Sequence, residues 1–141
     1  MNYWLVKSEP SEFGFAALQA AGRSVWDGVR NYQARNNLRA MKTGDRVLFY
    51  HSREGLAIVG LAEVVGEAYP DPTAATGDWS AVDLVARQPL PYPVPLTRIK
   101  QHPALQNLGL VRNGRLSVMP VSAEEFSIIM ELAQQGEDTA A

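Results

Sequence analysis

The chain has 141 residues and a mass of 15.5 kDa, the size of one domain. Its 46% hydrophobic and 20% charged residues exclude a disordered, collagen-like or coiled-coil chain, and no apolar run approaches the roughly 18 residues of a membrane-spanning helix. The net charge is −2, and the absence of cysteine excludes disulfides, thiolate zinc sites and cysteine nucleophiles.

The chain begins with a predicted strand and helix. The β-prone segment 3–7 becomes polar too early for a signal peptide, so we expect a cytoplasmic protein. Pro10 suits the first turn of a helix, which Gly22 ends. Helical spacing predicts that its inner face is formed by Phe13, Ala16, Ala17 and Ala20.

A loop and a second helix are predicted next. Residues 23–30 show no periodicity, so neither a strand nor a helix pattern assigns Trp26 to the core. Asn31 is a typical N-cap for a helix that runs to about residue 41. Its inner face is predicted to consist of Ala34, Leu38 and Met41.

From residue 43 the hydrophobic pattern has a period of two, which predicts strands. Strands are expected at 46–50, 56–65 and 79–87, with a turn at 53–55 and a loop at 67–78. Gly60 indicates a bulge or a close approach to the backbone. Proline at every second position from 89 to 95 restricts that stretch to a sheet edge or an extended crossing segment.

The last part of the chain predicts short helical turns, a strand and a capped helix. These elements are expected at 96–110, at 116–119 and at 123–133, where Ser122 is the N-cap. We therefore expect one α+β domain over residues 1–133, a small β-barrel of five to six strands with helices packed around it. Residues 134–141 are expected to form an acidic, disordered tail.

The sequence contains no motif typical of catalysis or metal binding. Neither His51 nor His102 has a metal-ligand spacing, and the glycines match no phosphate-binding loop. His51 and Ser52 are adjacent on a strand and point to opposite faces, so they cannot pair as base and nucleophile without a bend. We expect no catalytic residue, no metal and no cofactor.

Aromatic and polar residues instead cluster at the ends of three predicted elements. These clusters lie at 7–9, 26–32 and 50–52, next to a basic segment, 23–53, with seven Lys and Arg against two Asp and Glu. An aromatic wall with donors and acceptors suits a nucleobase, and a basic helix suits phosphates. Taken singly, each of these residues also fits an ordinary role in the core or on the surface.

These segments resemble the EVE domain, a member of the PUA-like superfamily that includes the thymocyte nuclear protein family. The matching stretches, in the family's order, are 3–10, 26–36, 44–45, 49–52, 59–60, 69–71 and 115–118. The resemblance extends to about residue 132. It implies a PUA-like β-barrel that binds a modified base in DNA or RNA without catalysing a reaction.

The resemblance also implies the residues of the pocket. The expected ligand-binding residues are Lys7, Ser8, Glu9, Trp26, Gly28, Val29, Asn31, Tyr50, His51, Ser52, Arg115 and Ser117. Trp26 would stack on the base, while Asn31 and Ser8 would form hydrogen bonds with its edge. The expected phosphate contacts are Arg30, Arg35 and Arg39.

Two other functions stay open at this point. One is an enzyme, or a subunit of one, that acts on nucleotides or nucleic acid with His51 or Glu9 as general base. The other is a protein that binds small anions or metabolites in the same pocket. The expected partner is nucleic acid with a modified base, bound by a monomer that has no membrane partner. The net charge of −2 predicts weak affinity for an unmodified duplex.

Overall fold

The computed structural model describes residues 1–136, which form one mixed sheet of six strands with helices packed against it. The strands are β1 (Tyr3–Ser8), β2 (Arg23–Trp26), β3 (Arg46–His51), β4 (Ala57–Pro70), β5 (Ser80–Pro95) and β6 (Val118–Val121). The helices are α1 (Pro10–Phe13), α2 (Phe15–Ala21), α3 (Tyr32–Ala40), α4 (Leu96–Gln101), α5 (Gly109–Arg112) and α6 (Ala123–Gln135), with a 3-10 turn at Pro103–Leu105.

The strand order confirms the predicted α+β class. It runs β2-β5-β4-β3-β1-β6, with β1 and β3 parallel and the other neighbouring pairs antiparallel. Within residues 1–136 no pairing joins β2 to β6, so the sheet is open and the predicted closed barrel is not confirmed. None of the helices in this range combines the length and the apolarity that a membrane crossing requires.

The prediction was wrong about the segment before α3. Residues 23–26 are not a loop but strand β2, which pairs with residues 82–85 of β5. The helix predicted from Pro10 is two helices, because Gly14 between them is extended. Their buried side chains are Phe15 and Leu18 rather than the predicted alanine face.

The hairpin of β4 and β5 is longer than predicted. The expected loop at 67–78 shortens to 71–79, because Tyr69 and Pro70 pair with Ala81 and Ser80 and extend the hairpin. The proline-rich stretch is confirmed as a sheet edge. Strand β2 pairs only with residues 82–85 of β5, so residues 86–95 pair on one side only, with β4.

Several local predictions are confirmed. Asn31 caps α3, whose predicted inner face is fully buried, and Ser122 caps α6 in a reciprocal capping box with Glu125. Gly60 lies at a register shift in β4, where a Cβ atom would come within 2.4 Å of the Phe15 ring. Helix α6 continues to Gln135, into the predicted tail, and residues 137–141 of that tail lie outside the described residues.

Candidate functional site

A cavity of about 760 Å³ opens beside the end of β1, between α1, β2 and the segment 27–30. It brings together most of the predicted ligand-binding residues, namely Lys7, Ser8, Glu9, Trp26, Gly28, Val29, Ser52 and Ser117. Arg30, predicted to contact phosphate, also lines it. The structure therefore unites segments of β1, β2 and the end of β3 that are far apart in the sequence.

Sequence reasoning missed a further set of lining residues. They are Glu12, Phe13, Ser24, Val25, Asp27 and Gly114. Asp27 could have been predicted, because it follows Trp26 directly in the polar and aromatic cluster at 26–32. Ser24 and Val25 could not be found in this way, because the sequence shows no strand periodicity at residues 23–30.

Three predicted binding residues lie outside the lining. Asn31 has its side-chain oxygen occupied, since Oδ1 accepts a hydrogen bond of 2.9 Å from the Ala34 N–H and caps α3. Tyr50 is 3% exposed and belongs to the core, and Arg115 is exposed and not part of the lining, although Gly114 and Ser117 are. The structure thus does not place the expected edge-binding role of Asn31 in this cavity.

His51, the fourth residue outside the lining, has a structural role. Its Nε2 accepts a hydrogen bond of 3.1 Å from the Phe15 backbone N–H, and its ring packs edge-on to Phe49. Accepting this bond requires an unprotonated Nε2, and burial lowers the pKa of His51 below its usual value. His51, predicted to bind the ligand, thus lies outside the cavity lining and has its Nε2 occupied by the Phe15 N–H.

Trp26 lies at the boundary of core and cavity. It is 9% exposed, with its ring 6.3 Å from that of Phe13 and 5.5 Å from that of Phe49, both edge-to-face. The expectation that Trp26 has no core role was wrong, because β2 pairs with β5 and carries the side chain inward. Its indole N–H makes no hydrogen bond within residues 1–136, where no side-chain nitrogen or oxygen is both buried and unpaired. This N–H is therefore not fully buried, and Trp26 lines the cavity.

The polar groups at the end of β1 already have partners. The Lys7 ammonium donates a 2.7 Å hydrogen bond to the Gly114 carbonyl, and burial lowers the pKa of Lys7. The Ser8 hydroxyl donates to the Phe13 carbonyl at 2.6 Å, so toward a ligand it can only accept. Glu9 forms an ion pair of 2.9 Å with Arg53.

Asp71 holds the segment that lines the cavity. Its fully buried carboxylate accepts hydrogen bonds from the Gly28 N–H at 2.8 Å, from Arg30 at 2.9 Å, and from the N–H and hydroxyl of Thr73. Burial alone would raise the pKa of Asp71, but the hydrogen bonds from Thr73, Arg30 and Gly28 hold it well below its usual range. The sequence suggested no role for Asp71, although an aspartate two residues before a threonine in a proline-rich turn is a usable signal.

The three predicted phosphate-binding arginines gather on one surface. Arg30 and Arg35 both lie against Trp79, while Arg35 and Arg39 both approach Asp78, at 3.9 and 2.6 Å. Each arginine therefore already has an acidic partner in the protein. Asp78, whose side chain is 79% exposed, forms the weaker kind of ion pair, which a phosphate can replace.

The chain matches the model of the EVE domain over residues 2–132. Mouse thymocyte nuclear protein 1 is 39% identical over an alignment of 167 positions, gaps included. The alignment covers 94% of this chain and 74% of that protein. A crystal structure of an Agrobacterium tumefaciens protein has a TM-score of 0.92 at 46% identity, with 94% of this chain and 93% of that chain covered. The human THYN1 protein in complex with DNA containing 5-methylcytosine has a TM-score of 0.88 at 36% identity, with 95% and 98% covered.

Because Trp26 packs in the core as well as lining the cavity, its truncation should cause a large loss of stability. We expect Trp26→Ala to lower the free energy of unfolding by about 3–5 kcal/mol, because it empties a site between two aromatic rings. Trp79→Ala, at a partly exposed tryptophan, should cost less than half of that. Urea unfolding of both variants measures the difference, and a Trp26→Ala protein as stable as the parent would contradict the core role.

Proposed function

Since the chain belongs to the EVE domain family, we propose that it binds DNA that carries a modified base, with 5-methylcytosine as that base. The observation that carries this proposal is the likeness to the human THYN1 protein, whose structure contains DNA with 5-methylcytosine. The mixed six-stranded sheet with its helices fits the PUA-like fold that the resemblance implies.

The cavity has the size and the recessed position that a single nucleotide requires. Its volume lies within the range of roughly 300–1,000 Å³ that is usual for ligand pockets. A base inside a duplex cannot enter such a cavity, so the nucleotide must first rotate out of the stack. The free energy of extrusion is a few kcal/mol and has to come from contacts in the cavity.

The lining offers groups that complement a methylated cytosine. Carboxylates accept hydrogen bonds from the exocyclic amino group of cytosine. Glu12 and Asp27, which carry carboxylates, both lie in the lining. The Trp26 indole N–H and the Lys7 ammonium supply donors for the ring nitrogen and carbonyl oxygen. Phe13 and Val29 supply apolar surface for the methyl group.

The two candidate general bases have contacts that support binding without turnover. His51 accepts a hydrogen bond from the backbone of α2 and does not line the cavity, and Glu9 forms an ion pair with Arg53. A pocket for small anions fits the charges less well. The described lining holds the carboxylates of Glu9, Glu12 and Asp27 against the cations Lys7 and Arg30.

A binding titration tests the proposal on short duplexes that differ in one base. We expect 5-methylcytosine to bind about four-fold more tightly than cytosine, since burying one methyl group is worth about 0.8 kcal/mol. Thymine carries the same methyl group but has a carbonyl in place of the amino group. It should bind about ten-fold more weakly than 5-methylcytosine, because it places an acceptor where the amino group donated to the carboxylates. Fluorescence polarisation measures all three affinities.

A matched pair of variants separates base recognition from net charge. The double variant Glu12→Ala with Asp27→Ala should reduce the discrimination against thymine. The double variant Glu54→Ala with Glu124→Ala makes the same change of charge at exposed residues outside the lining, and should leave it intact. Equal affinity of the parent for the three bases would refute the proposed function.

The arginine surface should respond in the same way to every base. Asp78→Asn removes the carboxylate that competes for Arg35 and Arg39, so affinity for methylated and unmethylated duplexes should rise together. Arg39→Ala should weaken both about equally and reduce the slope of log K against log salt by about 1. A change confined to the methylated duplex would contradict the assignment of this surface to phosphates.

A further inference from the structure

An exposed pair of aromatic rings lies beside the cavity and has no role in the function proposed above. Tyr32, the first residue of α3, is 67% exposed and stacks on Trp79, with ring centroids 5.1 Å apart and planes 13° from parallel. Tyr32 contributes little to the core, because most of its side chain faces solvent. We refer to Tyr32, Trp79 and Arg35 as the aromatic platform.

Tyr32 is 67% exposed, and Arg35 does not cover the face of its ring that points away from Trp79. The Arg35 guanidinium lies 5.0 Å from the centre of the Tyr32 ring and 5.9 Å from that of Trp79. With the rings 5.1 Å apart, the guanidinium is almost equally distant from both rings, so it cannot lie on the face of Tyr32 that points away from Trp79. A group on the far face of Tyr32 would be roughly twice as far from Trp79 as it is from Tyr32. Arg35 therefore leaves that face uncovered.

The aromatic platform is continuous with the cavity through Arg30. The Arg30 guanidinium lies 5.6 Å from the Trp79 ring, and the same residue lines the cavity. Arg30, Arg35 and Arg39 face the two carboxylates of Asp71 and Asp78, which leaves a net charge of one positive unit. An open aromatic face beside a positive surface suits a nucleotide, which combines a flat base with an anionic phosphate.

We propose that the aromatic platform is a second nucleotide-binding site, on which a neighbouring base of the same DNA strand stacks against Tyr32. This inference rests on the proposed function, since the strand is anchored by the modified base in the cavity. Extrusion of that base leaves its neighbours without a stacking partner on one side. Stacking on Tyr32 replaces the lost contact and recovers part of the free energy of extrusion.

Abasic nucleotides test the site without altering the protein. A single-stranded oligonucleotide with one 5-methylcytosine is compared with two versions in which the 5′ or the 3′ neighbour lacks its base. We expect one of the two abasic versions to bind the parent protein about five-fold or more weakly, the lower end of the range for base–aromatic stacking. The other version should bind nearly as well as the intact strand.

The variant Tyr32→Ala should lose the same factor on the intact strand and show no further loss on the abasic one. Tyr32→Phe keeps a stacking ring and should retain parental affinity. Tyr92→Ala, which removes another exposed tyrosine outside the cavity lining, is the matched control. Thermal melts of the variants check that each is folded.

Each outcome decides between the two proposals. If the parent binds the methylated strand and neither abasic version is weaker, the aromatic platform is not a stacking site, while the proposed function stands. If Tyr32→Ala weakens intact and abasic strands by equal factors, the tyrosine acts independently of the neighbouring base, and the inference is wrong. If the parent distinguishes no methylated oligonucleotide from its unmethylated counterpart, the proposed function fails, and the inference fails with it.

Discussion

The shape of the cavity depends on the carboxylate of Asp71. This group joins the loop after β4 to residues 28 and 30, which precede it by 43 and 41 positions in the sequence. Because the carboxylate is buried and ionised, it is stable there only while its hydrogen-bond donors stay in place. Its loss would leave the Gly28 N–H and the Arg30 guanidinium without this acceptor, so one carboxylate holds both the segment 28–30 of the cavity wall and the Arg30 cation.

The distribution of charge indicates where affinity has to come from. The chain carries a net charge of −2, and the three arginines of the predicted phosphate surface already form ion pairs with Asp71 and Asp78. A protein of this kind cannot rely on the long-range attraction that gives general DNA-binding proteins their affinity. In the function and the inference proposed above, the binding free energy comes instead from short-range contacts. These are contacts to one base in the cavity, to phosphates and to a stacked neighbouring base.

Predictions from sequence succeeded where a few adjacent residues determine the structure. Asn31 and Ser122 cap helices through bonds that span three residues, and both positions were predicted. Strand β2 was not predicted, because only Trp26 of its four residues is buried and its partner in β5 lies about 60 residues later. Predictions of the site were likewise limited by contacts between residues far apart in the sequence. The predicted clusters at 7–9 and 26–32 do meet at the cavity, the second through residues 26–30 only. His51 could not be assigned, since its hydrogen bond to Phe15 spans 36 residues.

The three tryptophan side chains provide a direct test that the modified base enters the cavity. The Trp4 indole N–H is bonded to Asp45 at 2.9 Å in the core, Trp26 lines the cavity, and Trp79 lies in the aromatic platform. In a nitrogen–proton NMR titration with a 5-methylcytosine oligonucleotide, the Trp26 indole signal should shift strongly and the Trp4 signal should stay in place. A Trp26 signal that does not move while the Trp79 signal does would mean that DNA binds only the outer surface, which would contradict this account.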